Sequence, residues 1–200
     1  MAGRVFSLRA AATPGWKVVM SNVDDRSLVE ACLDGDAASF DVLVERHRRQ
    51  VYQVCYRFVG NHEDASDLAQ DAFIRAYRSL RTFKGKSAFS TWLYRIAVNV
   101  CLNRVSGRQT ATEPIDAREH EDQAAEQPEG TVLRNERAAT VRAAIARLPK
   151  KQRATMILRM YHELPHEQIA AILGSSVGAV KANFFHALAN LKKLLQESGR

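Results

Sequence analysis

Three stretches of this chain hold residue types at spacings that could do chemistry. In the first, residues 64–73, Asp64, Asp67 and Asp71 recur at i, i+3 and i+7, which puts three carboxylates on one helical face. Such a face can chelate a hard cation, exchange a proton in acid–base catalysis, or serve as an acidic docking surface. No His or Cys nearby completes a ligand set, and the neutral amide of Gln70 suits docking better. An enzyme reading, such as a metal-dependent nuclease, also lacks a Gly-rich phosphate loop and a nucleophile motif.

The second stretch, residues 83–104, interleaves aromatic, basic and amide side chains across a loop and a helix. That mixture suits single-stranded nucleic acid: rings stack on bases, amides read base edges, and cations hold the backbone. Phe89 and Trp92, at helical spacing, suit a hydrophobic core as well. The third stretch, residues 164–195, reads as a helix-turn-helix. Ala170 is small enough for a close crossing, Gly174 permits a left-handed turn, and Ile169, Leu173, Val177 and Val180 pin the two helices together. Ser175 and Ser176 can cap the second helix. Lys181, Asn183, Phe184 and His186 fall on or near the side that could enter a major groove.

The elements that must position these residues are all helical, with no alternating strand of useful length. Helices are expected over about 25–33, from 36 to Gly60-Asn61, over 62–80, and from 87–90 to 105 with Ser106-Gly107 as a stop. A second block is expected at 133–148, 150–161, 165–173 and 177–196. Residues 1–23 read as a poorly ordered leader. Residues 109–132, acidic and holding Pro114 and Pro128, read as a linker.

Charge follows the same division. The 200 residues carry a net +7, distributed as +5 over residues 1–108, −6 over 109–132 and +8 over 133–200. Two basic blocks on an acidic, self-solvating tether point to a polyanionic partner. The three cysteines, Cys32, Cys55 and Cys101, form no CxxC and read as buried free thiols in a reducing compartment. No apolar run approaches a membrane span or the core of a signal peptide, so a cytoplasmic location is expected. His62, His120, His162 and His166 lack ligand spacing and are expected at the surface. Met156 and Met160 are expected in the core.

Taken together, these stretches resemble the extracytoplasmic-function (ECF, group 4) sigma factors of bacterial RNA polymerase, over about residues 24–195. Residues 64–77 and 83–103 resemble the first conserved sigma domain, and residues 148–195 the second. The resemblance implies an all-α fold of two small domains: a four-helix, region 2-like domain over 24–108 and a region 4-like helix-turn-helix domain over 133–200, on a flexible linker. It implies a specificity subunit that is not an enzyme and needs no cofactor or metal. Asp64, Asp67, Gln70 and Asp71 would dock on the clamp helices of the polymerase largest subunit. Phe83, Lys84, Lys86 and Ser87 of the loop, with Trp92, Arg95, Asn99 and Asn103 of the helix, would capture the non-template strand of the −10 element, one base held out of the stack. Arg95 could instead brace its helix. Ser175, Ser176, Lys181, Ala182, Asn183, Phe185 and His186 would read the −35 duplex, with that domain resting on the flap of the second-largest subunit. An anti-sigma factor is a further implied partner. One departure stands out: where family members often carry Arg-rich text, this chain has Lys181-Ala182-Asn183, and Asn pairs with adenine where Arg prefers guanine. The competing reading is a stand-alone helix-turn-helix regulator, which would bind duplex tightly without polymerase.

Overall fold

The computed structural model describes residues 23–110 and 130–198. Among them the backbone forms eight α-helices, one 3-10 turn and no strand, as the periodicity predicts. Nearly all of the expected leader and most of the expected linker lie outside the described residues.

Two compact units divide between Leu43 and Val44. The first holds α1 (Asp25–Leu33) and the opening turns of α2 (Ala38–Val59). Both helices start on an aspartate. Asp24 accepts the backbone N–H of Ser27 at 2.8 Å. Asp36 accepts the Ala38 N–H at 3.1 Å and the Ser39 hydroxyl at 2.7 Å. Asp36 is thereby used as a cap, and α2 begins two residues later than the sequence pattern alone places it.

The second unit holds the rest of α2, then α3 (His62–Ser79), a 3-10 turn (Leu80–Thr82), α4 (Phe89–Thr110), α5 (Gly130–Ala146), α6 (Lys150–Met160), α7 (His166–Leu173) and α8 (Val177–Ser198). Asn61 caps α3 by accepting the Asp64 N–H at 2.8 Å. Ala65, Ala72 and Ala76 are fully buried, and such small side chains let α3 lie close against α4. Val51, Val54, Cys55 and Phe58 of α2 and Leu93, Val98 and Cys101 of α4 are buried with them. Towards the C-terminus, Ile157 and Leu158 of α6, Ile169 and Ile172 of α7, and Val180 and Ala187 of α8 form the core of the helix-turn-helix. Each large apolar side chain so buried contributes about 1.5–3 kcal/mol.

Contacts also run between these two sets of helices. Helix α7 packs against α4. From α6, the buried Arg153 donates to the carbonyl of Ala146 at 3.1 Å and, by its other terminal nitrogen, to the carbonyl of Phe58 at the end of α2. Its guanidinium also lies 5.9 Å from the Phe58 ring centroid.

Four local expectations change. Helix α4 continues through Ser106-Gly107 to Thr110, because the Ser106 hydroxyl donates to the Leu102 carbonyl at 2.6 Å within the helix, and one glycine costs a helix only about 1 kcal/mol. His162 and His166 are half-buried, each with an Nε2 that is enclosed and lacks a hydrogen-bond partner. They pack on the rings of Tyr94 and Phe184, with centroids 5.8 and 5.9 Å apart. Met160 is 57% exposed, whereas Met156 is in the core. Asp64 is buried rather than displayed: its carboxylate accepts from Arg104 Nη2 at 2.6 Å and from the Asn61 amide at 2.7 Å. His62 is exposed as expected, and shares a hydrogen bond with the Tyr52 hydroxyl. His120 lies outside the described residues. The thiols of Cys55 and Cys101 are free and buried, and Cys32 is half-buried. The Cys101 thiol is pushed up by its hydrogen bond with Cys55 and by burial, so it stays protonated.

Two predictions follow from this packing. Asp64→Ala should cost about 1–2 kcal/mol in urea denaturation, since it strands Arg104 and the Asn61 amide, while exposed Asp67→Ala should stay within about 0.5 kcal/mol. Burial, then the nearby Arg57 charge, pushes the pKa of His162 down from its ordinary 6.5. Tyr94 on α4 and Arg57 on α2 are the groups facing it. The folded chain therefore binds that proton less readily than the unfolded one, and stability present above pH 6.5 is lost as pH falls below it. Melting curves at pH 7.5 and 5.5 should show this loss, and His162→Phe should reduce it.

Candidate nucleic-acid interface

Helix α4 has two sides. Leu93, Ala97, Val98 and Cys101 face the core, while Arg95, Asn99 and Asn103 are exposed. With Trp92 these three fall at i, i+3, i+7 and i+11, one continuous row along the helix. The loop before it, residues 83–88, presents Lys84, Lys86 and Ser87 to solvent. Gly85 turns the loop at φ +66°, a left-handed conformation that favours glycine.

The aromatic residues sort by depth. Phe89 is 3% exposed and is core. Phe83 and Trp92 are half-buried around it, with ring centroids 5.7 and 5.6 Å from Phe89 and 5.4 Å from each other. His47 of α2 closes the cluster at 5.5 Å from Phe89. The loop is thus pinned by ring packing at its start and at the first turns of α4. Phe83 and Trp92 keep open surface beside the loop lysines, an arrangement that can stack a base and hold a phosphate. Arg95 does not brace its own helix. Its Nε donates to the Ile172 carbonyl of α7 at 3.4 Å.

On α3 the three-carboxylate face separates. Asp67 and Gln70 are exposed, Asp71 is half-buried and paired with Arg75 at 2.9 Å, and Asp64 is turned inward to Arg104. The Asp71 hydrogen bond and charge raise the Arg75 pKa. No three His, Cys, Asp or Glu residues among those described are grouped so as to hold a metal ion. Gln70 instead borders a groove of about 590 Å³ between α2 and α3, lined also by Arg48, Arg49, Tyr52, Ser66 and Phe73. Farther along α3, Ile74 and Tyr77 are 43% and 51% exposed. Sequence reasoning missed them; the available signal was a pair of large apolar residues at i, i+3, off the alanine-lined buried stripe.

In the helix-turn-helix, Gly174 ends α7 in the left-handed conformation, its N–H donating to the Ala170 carbonyl. Ser176 caps α8 by accepting the Ala179 N–H at 3.2 Å, whereas the Ser175 N–H is bonded back to Ala170 at 3.0 Å. Lys181, Ala182, Phe185 and His186 are exposed and Asn183 half-buried. Phe184 is turned in against His166, so Phe185, 69% exposed, is the ring on the open side. Leu188, 45% exposed, extends that side by one turn and was not anticipated.

Comparison with known proteins matches both parts of this arrangement. Residues 43–110 match the Sigma-70 region 2 family and residues 138–191 match Sigma-70, region 4. The RNA polymerase sigma-H factor of Pseudomonas aeruginosa is 38% identical over 89% of this chain and 97% of its own length. The ECF RNA polymerase sigma-E factor of Escherichia coli is 38% identical over 82% of this chain and 90% of its own. Among solved structures, CnrH in complex with the cytosolic domain of CnrY matches with a TM-score of 0.62 and 26% identity, covering 86% of this chain and 97% of that one. The sigma factor RpoE in complex with the anti-sigma factor NepR from Bartonella quintana shares the fold, with a TM-score of 0.61 at 20% identity and coverage of 78% and 96%. The chain belongs to the sigma factors of RNA polymerase, in their extracytoplasmic-function branch, and is a transcription initiation factor rather than an enzyme.

Proposed function

We propose that this sigma factor binds core RNA polymerase in the cytoplasm and directs it to promoters by reading two DNA elements with its two helical modules. The observation that carries the reading is the solvent-facing row Arg95, Asn99 and Asn103, set beside an exposed Lys84–Lys86 loop and the open surfaces of Phe83 and Trp92. This row would hold the non-template strand of the −10 element, with Ser87 at the loop's end. Asp67, Gln70 and Asp71, the adjoining groove, and the exposed Ile74 and Tyr77 form a mixed polar and apolar surface suited to a helical partner. That surface would take the clamp helices of the largest subunit, without Asp64. Residues 133–200 would rest on the flap of the second-largest subunit.

Helix α8 would enter the major groove of the −35 element. Ser175, Ser176 and Lys181 would lie along phosphates, Asn183 and His186 would meet base edges, and Ala182 and Phe185 would make apolar contacts such as those a thymine methyl accepts. The solved relatives held by CnrY and NepR support an anti-sigma partner for this chain as well.

Run-off transcription with core polymerase and a randomised promoter library tests the function. Promoter-specific transcripts should arise only when the chain is present. Tight duplex binding without polymerase, and no transcripts, would assign it instead to the stand-alone regulators. In the same selection Asn183→Arg should move one −35 position from adenine towards guanine by about 1–3 kcal/mol. An unchanged preference would remove Asn183 from the reading surface.

A further inference from the structure

The interior holds a cluster of reactive groups that the reading of DNA and polymerase does not use. Cys55 of α2 and Cys101 of α4 are each 0% exposed, and their free thiols are hydrogen-bonded to one another. Arg153 of α6 is 8% exposed, and its charge acts on the Cys101 sulfur. Its terminal nitrogens go to the carbonyls of Ala146 and Phe58, but its Nε–H is enclosed and unpartnered. No carboxylate among the described residues acts on it. Two adjacent thiols, an orphaned donor and a cation faced only by carbonyl dipoles therefore share one buried site. A buried cation of this kind is costly unless a negative group meets it.

Ligand chemistry narrows what that group can be. No His, Asp or Glu among the described residues joins the two thiols to complete a larger set. Zinc requires four such ligands, and calcium and magnesium require oxygen. Two sulfurs alone suit a soft cation that accepts linear, two-coordinate binding, and thiolates select Cu(I) among such ions. When Cu(I) binds, each thiol gives its proton to water and two Cu–S bonds form. Neither sulfur nor copper changes oxidation state. Two thiolates and one monovalent cation leave a single negative charge, which the Arg153 guanidinium cancels. Hg(II) on the same pair gives a neutral complex, for which the guanidinium offers no such gain.

We propose that Cys55 and Cys101 form a buried two-coordinate site for Cu(I), with Arg153 as its counter-charge. The inference stands apart from the sigma reading. Cys101 lies on the side of α4 opposite Asn99 and Asn103, so a bound ion would join α2 to the inner side of the strand-facing helix.

Cu(I) titrated without oxygen into the reduced full chain, in competition with a chromophoric Cu(I) chelator, tests the site. Cys32→Ser in the background leaves only the buried pair. The chain should withhold one equivalent from the chelator, with sulfur and no nitrogen around the copper by X-ray absorption, and its melting temperature should rise. Cys55→Ala and Cys101→Ala should each lose that equivalent, and circular dichroism shows which variant keeps its helices and so decides. Arg153→Met should weaken Cu(I) binding about tenfold and leave Hg(II) binding unchanged. Arg153→Lys, which keeps a charge, should restore part of the Cu(I) affinity. A folded chain that yields all its Cu(I) to the chelator would overturn the site, as would full retention in a folded alanine variant. Loss of both thiols to a disulfide, with no ion bound, would overturn it too. Equal weakening of Cu(I) and Hg(II) in a folded Arg153→Met chain would contradict the counter-charge.

Discussion

A buried guanidinium is costly unless its donors are met, and Arg153, whose Nε stays unpartnered, offsets that cost with its two terminal nitrogens, which join three elements. Its donors run to the end of α5 at Ala146 and to the end of α2 at Phe58, while its own helix begins only three residues earlier. Burial pushes its pKa down from the ordinary arginine value, which nonetheless leaves it charged. Carbonyls at helix C-terminal ends carry the negative pole of the helix dipole, so both acceptors suit a cation. The same side chain therefore closes the α5–α6 corner and fastens that corner to α2. The relation of the helix-turn-helix to α4 follows from where this fastening sits.

Helix α4 is the element on which the functional account turns. Its inner side is apolar and includes Cys101, whose free thiol is hydrogen-bonded to that of Cys55 on α2. Its outer side carries the amides and the arginine. A helix packed this tightly on α3 gives Arg95, Asn99 and Asn103 a fixed mutual spacing, and a rigid row reads nucleic acid with less ordering cost than a loop would. The aromatic cluster of Phe83, Phe89, Trp92 and His47 extends that rigidity to the start of the preceding loop. Its lysine-bearing tip, turned at Gly85, is exposed. Rigid helix and open tip together suit a strand whose backbone must be gripped and whose bases must be presented.

Most of the helical architecture was legible in the sequence because its punctuation is chemical: Gly60-Asn61 as the end of α2, Gly174 in a left-handed turn, Pro149 before α6. The misplacements have local causes. Asp36 was used as a cap instead of a first helical residue, and Gly107 stayed helical because one glycine costs a helix only about 1 kcal/mol. Within the candidate site, the exposure of Lys84, Lys86, Asn99, Asn103 and Lys181 was legible from residue type and spacing. The depth of the others was not. Spacing alone put Asp64 with Asp67 and Asp71, and partners off that face, Arg104 forty residues away and Asn61, hold it inward. Nothing in local pattern separates Phe184 from Phe185, which are one helical step apart, or Met156 from Met160, which share a face and differ only in how far along the helix the packing extends. The packing of α7 on α4 was illegible for a further reason: it depends on single contacts between distant residues that leave no periodic trace.

Crosslinking from α4 tests the reading of its solvent-facing row most directly. A photoreactive side chain at position 99, in a chain bound to core polymerase on promoter DNA, should crosslink to the non-template strand of the −10 element. Crosslinks to the template strand alone, or none in a complex that still initiates, would contradict that reading.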